Sequence, residues 1–274
     1  MDPVFGQLLA EYPRFLMALE PAEHSRDLTV DELADPALLD RAVVAAGEIF
    51  GVTDPRHAGQ LWWFSAVNSL VAPAVTMMVE FDRVPRLDLA TGRIFLRDPA
   101  DRCEDPGAGY WVGFTPGEFS AGSEKAHRAA GEDFARSVRP VLSELSRVAG
   151  IRPAPLWAVT ADGMAQAAVE AGNGAFDPYL GVRVALRLVS GLASAAPEDV
   201  VVPAPRFLDI SDGAVIPTDM DAVSAEEDPE DVHTVVRRAS CCMIYRSPTS
   251  GKCLSCPKQD PADRERKLIA ALGS

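Results

Sequence analysis

Apolar residues recur at helical spacing over much of the first 200 residues, and the start and stop signals around them predict a mostly helical chain. Residues 5–19 carry the first such pattern. Thr29 with Glu32 forms a capping box ahead of Leu33, Leu38 and Leu39, and Asp54-Pro55 supplies an N-cap with proline in the first turn. The helix opened by Asp54-Pro55 is expected to run through Leu61, Trp62, Trp63 and Phe64 toward Met77 and Met78, with Pro73 kinking or interrupting it. Further helices are expected over residues 122–149, with Pro140 marking a kink and Gly150 ending it, over 162–171, and over 178–194 behind Asp177-Pro178. A closing helix over 264–272 is capped by Asp260, with Pro261 in its first turn.

Between these helices the period shortens toward two. Residues 86–89 and 93–96 flank Thr91-Gly92 in the manner of a hairpin, residues 110–114 read as a strand, and residues 206–216 alternate weakly. The acidic stretch 219–231 reads as a solvated excursion. The predicted architecture is α+β: predominantly helical with a small sheet and a cysteine-bearing C-terminal segment. Residues 1–236 are expected to form the body and residues 237–274 the appended segment.

Composition narrows the function. The formal net charge is −14, which disfavours a nucleic-acid partner, because binding a polyanion requires a face of phosphate-neutralising Lys and Arg. The charge is unevenly spread. From Arg237 onward, eight basic residues face three acidic ones, a local +5 that leaves −19 for residues 1–236. No stretch reaches about 18 uninterrupted apolar residues, and no positive leader precedes the first apolar run, so a cytoplasmic protein without an integral membrane segment is expected, with peripheral membrane association left open.

Four of the five cysteines lie within sixteen residues, as Cys241-Cys242, ten intervening residues, then Cys253-Leu254-Ser255-Cys256. Thiols this dense in a reducing compartment point to metal or redox chemistry rather than to a disulfide framework. A C-x-x-C pair turns two thiolates toward one centre, as in both zinc and iron–sulfur sites. The neighbouring side chains of Cys241 and Cys242 diverge in extended backbone, so they suit a wider two-iron target better than one tetrahedral ion. Spacing leaves iron–sulfur and structural zinc as the two readings. Cys103 stands apart and is expected to be inert.

The run from Arg238 through Cys241, Cys242, Met243, Ile244 and Tyr245, followed by Cys253, Leu254, Ser255, Cys256 and Pro257, resembles the C-terminal signature of the FhuF-like ferric-siderophore reductases. The resemblance is sharp over about residues 237–260. It implies a [2Fe-2S] cluster held by Cys241, Cys242, Cys253 and Cys256, and a reductase passing one electron to siderophore-bound Fe(III) to release Fe(II). The competing reading is a zinc-stabilised or iron–sulfur binding or sensor protein without reductase activity.

Hard oxygen donors of siderophores bind ferric iron better than ferrous iron, so one electron suffices for release. Arg237, Arg238, Arg246 and Lys252 are the nearest cations to the thiols in sequence, with Arg246, inside the loop between the cysteine pairs, placed first as a tuning or docking residue. Neither a dinucleotide fingerprint nor a P-loop is present, so electrons are expected from an external donor of ferredoxin or flavodoxin type. Trp62, Trp63, Tyr110 and Trp111 read as core rather than as a chelate pocket, and His24, His57, His127 and His233 as surface or core residues.

Overall fold

The computed structural model describes residues 3–97, 111–226 and 231–273; Cys103 and Tyr110 lie outside them. Ten α-helices occur among the described residues: α1 (Val4–Glu11), α2 (Leu16–Leu19), α3 (Val30–Leu33), α4 (Pro36–Phe50), α5 (Pro55–Glu80), α6 (Glu124–Ala149), α7 (Pro153–Gly174), α8 (Pro178–Ala195), α9 (Met220–Ser224) and α10 (Pro261–Leu272). The strands are β1 (Arg26–Leu28), β2 (Arg83–Pro85), β3 (Arg93–Leu96), β4 (Val112–Thr115), β5 (Phe119–Ala121), β6 (Phe207–Ser211), β7 (Ala214–Pro217) and β8 (His233–Val236). The predominantly helical α+β class holds.

The long helices pack side by side, α4 on α5, α5 on α7, α7 on α8 and α8 on α6, with α4 also touching α6. α5 has the length and apolar character of a membrane-crossing helix, yet most of it is buried inside this layer. It runs through Pro73 without the expected interruption. Two glycines set the closest crossing: a Cβ added at Gly131 of α6 would sit 2.0 Å from the Leu188 carbonyl oxygen of α8, and one at Gly191 of α8 would sit 2.0 Å from that of Arg128. Backbone contact this close between α6 and α8 excludes any larger residue at either position.

The caps expected at Thr29, Asp54, Asp177 and Asp260 form, and Asp35 and Ser123 supply two more. Thr29 and Glu32 form the reciprocal box, and Asp35, Asp54, Ser123, Asp177 and Asp260 each accept backbone N–H groups at the starts of α4, α5, α6, α8 and α10. Pro13 divides the first helical pattern, leaving α1, a 3-10 turn and α2.

The strands differ from expectation. Three small antiparallel sheets form, in the orders β1-β3-β4, β2-β5 and β7-β6-β8, rather than one. Residues 86–89 do not pair with β3. Asp88 instead caps a 3-10 turn over Leu89–Thr91, and β3 pairs with β1 and β4, whose sequence separation no local signal reports. Residues 206–216 are two strands, not one, because Asp212 and Gly213 both take positive φ (51° and 71°) and close a two-residue hairpin. The Asp-Gly pair is the sequence signal for that turn. Part of the acidic stretch is the short helix α9, started by Asp219 accepting from Asp221 and Ala222.

His127, on α6, is 4% exposed, and neither ring nitrogen finds a partner among the described residues. Burial pushes its pKa below the usual value, the Arg187 charge adds to this, and Asp82 opposes it. The unfolded chain therefore binds the proton more readily. Stability from this group is complete above the unfolded value of about 6.5 and declines below it, by at most about 1.4 kcal/mol per pH unit, until the folded ring also protonates. The acid-side decline in a series of denaturant midpoints is expected to be shallower in His127→Leu than in wild type.

Candidate metal centre

β8 delivers the chain to the cysteines, and its register is fixed by polar groups in the core. Asn173 of α7 acts as a strand neighbour, donating to the Thr234 carbonyl at 2.8 Å and accepting the Thr234 N–H at 3.0 Å. The buried Asp209 on β6 accepts from the hydroxyls of Tyr179, Thr218 and Thr234 at 3.1, 2.7 and 2.7 Å. A strand held by this many internal partners cannot slip without leaving buried polar groups unpaired. Residues after β8 are thereby placed against α5 and α7.

Asp162 of α7, 3% exposed, takes over there. Its carboxylate accepts the Ala239 N–H at 3.1 Å, the Ser240 N–H at 2.6 Å and the Ser240 hydroxyl at 2.5 Å. Gln60 of α5 donates its Nε2 to the Cys241 carbonyl at 2.6 Å. Met243 then adopts a left-handed conformation at φ 68°, reversing the chain into a 3-10 turn over Ile244–Arg246. Gln259 closes the far side, donating to the carbonyls of Cys253 and Leu254 at 2.6 and 3.1 Å. Cys242 packs with Val52 and Leu61 in a small cluster against which Phe50 and Phe64 also pack.

The loop between the cysteine pairs is braced on Gly51, the αL residue that ends α4 at φ 63°. A Cβ on Gly51 would stand 3.0 Å from Pro248 Cδ and 3.2 Å from Pro248 Cγ. Gly51→Ala thus combines a strained φ with displacement of the cysteine loop, and a loss of about 1–2 kcal/mol is expected, read as a lower melting temperature.

The fold brings all four C-terminal thiols together. The Sγ atoms of Cys241 and Cys256 are 4.0 Å apart, close to the roughly 3.8 Å separation of two sulfurs bonded at about 2.3 Å to one tetrahedral metal. The Cys242 thiol is near enough to those of Cys241 and Cys253 for each to shift the other's charging. Contacts therefore run in a row, 256–241–242–253. Among the described residues no three Cys, His, Asp or Glu side chains are placed to close on a single ion. An all-sulfur donor row wider than one ion fits a two-metal centre better than a lone zinc.

Charge is shared along the row. The Cys242 thiol is lowered, first by its interaction with the Cys241 and Cys253 thiols, and the Arg238 charge adds to the effect. Cys241 and Cys253 are raised, first by hydrogen bonding to Cys242 and then by burial. Cys241, Cys242 and Cys256 are 6%, 3% and 2% exposed, whereas Cys253 is partly exposed and is followed by Leu254 at 41%. One edge of the site faces solvent.

Residues 238–258 match the family model described as the FhuF 2Fe-2S C-terminal domain. The cysteine segment is FhuF-like. The match covers less than a tenth of the 274 residues, and it begins at Arg238 and contains all four cysteines of the row. The domain is named for a 2Fe-2S cluster, in agreement with the [2Fe-2S] cofactor expected from the sequence. No curated protein matches the chain.

Of the four cations flanking the FhuF-like cysteines, Arg237, Arg246 and Lys252 are exposed, and Arg246 lies over its neighbour Tyr245 at 4.9 Å. Arg238 alone among them is buried, at 4%. Arg246, placed first for its position inside the loop between the cysteine pairs, ends exposed, so Arg238 is the dehydrated cation of the four. Asp162, Gln60 and Gln259 carry no local sequence signal of their role, since two of them sit far upstream. Trp62 and Trp63 are core residues as expected, 4% and 0% exposed, with the Trp63 indole donating to Thr160 at 3.0 Å.

Proposed function

We propose that this chain is a cytoplasmic ferric-siderophore reductase in which Cys241, Cys242, Cys253 and Cys256 hold a [2Fe-2S] cluster. The observation that carries the reading is the convergence of four thiols into one row, inside a segment matching the FhuF 2Fe-2S domain, with the Cys253 end open to solvent. When bound, the cluster supplies one electron at a time.

The chain's own residues prepare that transfer. Burial of Cys241, Cys242 and Cys256 excludes water from the inner thiols, while Gln60, Asp162 and Gln259 fix the backbone that carries them. The partly exposed Cys253 and exposed Leu254 let a bulky ferric chelate approach without entering the protein. The substrate iron goes from Fe(III) to Fe(II), and the ferrous ion is released because oxygen donors hold it more weakly. The electron is replaced from an external donor of ferredoxin or flavodoxin type.

A surface cavity of about 720 Å³, with Arg83, Arg93 and Phe119 in its lining, lies beyond the other end of α5. Gln60 and Glu80 are separated by about 30 Å along that helix at 1.5 Å per residue, so a chelate bound there is remote from the thiols.

The test is anaerobic reduction of the purified protein followed by mixing with a panel of ferric hydroxamate, catecholate and carboxylate chelates. Cluster reoxidation, together with trapping of about one Fe(II) per electron delivered, is the expected result. A protein that holds iron and sulfide but is reoxidised by none of them is a binding or sensor protein. A colourless zinc form excludes the redox reading outright.

A further inference from the structure

The Arg238 guanidinium is a buried charge with unused donors. Its side chain is 2% exposed, and Nε and Nη2 make no hydrogen bond. The facing carboxylate, Asp162 Oδ2, is 3.8 Å from Nε, beyond hydrogen-bond range, and its oxygens already accept three donors from Ala239 and Ser240. The guanidinium lies over the Phe64 ring, 4.8 Å from its centroid, and Phe64 packs against the small cluster of Val52, Leu61 and Cys242, so the charge sits close enough to lower the pKa of both Cys242 and Cys253. Leaving N–H donors unpaired in a protein interior costs on the order of 1–3 kcal/mol, and more for a charged group. A folded chain retains such a group where something else completes it.

Resting on the [2Fe-2S] reading of the four cysteines, we infer that Arg238 is the fixed counter-charge of the cluster: its free Nε–H and Nη2–H donate to the sulfur-rich centre, stabilising the reduced form. An all-thiolate cluster is anionic and becomes more so on gaining an electron, so a cation held in a dry site beside it favours reduction. The exposed Arg237, Arg246 and Lys252 are screened by water and salt and contribute far less. Arg238 acts through the cluster as a positioning residue and has no contact with the chelate.

The test compares wild type, Arg238→Lys and Arg238→Gln as full-length, cluster-loaded protein, by anaerobic redox titration followed by visible absorption and electron paramagnetic resonance. Removing the charge is expected to lower the reduced-to-oxidised ratio at a fixed potential by about tenfold, a one-electron shift of about 59 mV to more negative potential. Arg238→Lys is expected to recover most of that shift, with iron and sulfide content unchanged. A fully loaded Arg238→Gln variant titrating with wild type overturns the inference and leaves the cluster reading intact. If Arg238→Gln cannot hold the cluster, a loaded, near-wild-type Arg238→Lys supports the inference, whereas loss in both overturns it in favour of a shape requirement. A wild-type chain without a two-iron cluster overturns the reading of the site as well.

Discussion

Replacing Cys241, Cys242, Cys253 or Cys256 by serine is expected to abolish the visible absorption of the reconstituted protein, while Cys103→Ser leaves it unchanged. Changes to groups that merely support a ligand commonly cost about 10–100-fold in metal affinity, so removing a ligand from a proposed four-thiol centre is expected to cost more. The four positions are not equivalent in what else they do. Cys241, Cys242 and Cys256 are buried, and serine there adds an oxygen lacking a built partner; Cys253 is partly exposed, so its variant separates loss of the cluster from loss of the fold most cleanly. Iron and sulfide analysis with the visible spectrum checks each variant. A normal spectrum in any of the four removes that residue from the ligand set.

Asp162→Ala is expected to be the most destabilising single change near the site. It removes the acceptor for the Ala239 and Ser240 N–H groups and the Ser240 hydroxyl, and strips Arg238 of its nearest anion. Removing one partner of a buried charge pair typically costs about 3–5 kcal/mol, because the remaining charge stays desolvated. Both side chains are at most 4% exposed, so water cannot substitute for the lost carboxylate without opening the structure. Chemical denaturation of the cluster-free protein measures the loss. A change under about 1 kcal/mol, the range of an exposed ion pair, would mean that the pair does not hold the segment to α7.

The two predictions probe different contributors to one site. The thiols are supplied within sixteen residues of sequence, whereas the groups that hold them come from helices up to 181 residues away, as the Gln60 to Cys241 hydrogen bond shows. A mutation on α5 or α7 can therefore act on the cysteine row without touching a sulfur.

Local chemistry made much of this protein legible from its sequence. Helix starts follow from Asp, Ser or Thr accepting a backbone N–H two or three residues on, so Thr29, Asp54, Asp177 and Asp260 announced their helices without reference to the rest of the chain. The cysteine pattern did the same for the candidate centre, because four soft donors in one short segment carry their chemistry wherever the segment is placed. The Asp212-Gly213 turn was equally local, and its signal was available in the dipeptide.

Long-range placement decided the rest. β3 pairs with β1 and β4 rather than with residues 86–89, since strand pairing is settled by which surfaces the core brings together. Arg246 lies inside the loop between the cysteine pairs but ends in solvent, and Arg238 ends in the interior because the fixed register of β8 directs it between Asp162 and Phe64. Sequence by itself determined which donors the protein has and where its helices begin. Only the tertiary structure decided which charge is dehydrated beside those donors, because burial is a property of the packed whole and electrostatic strength depends on it.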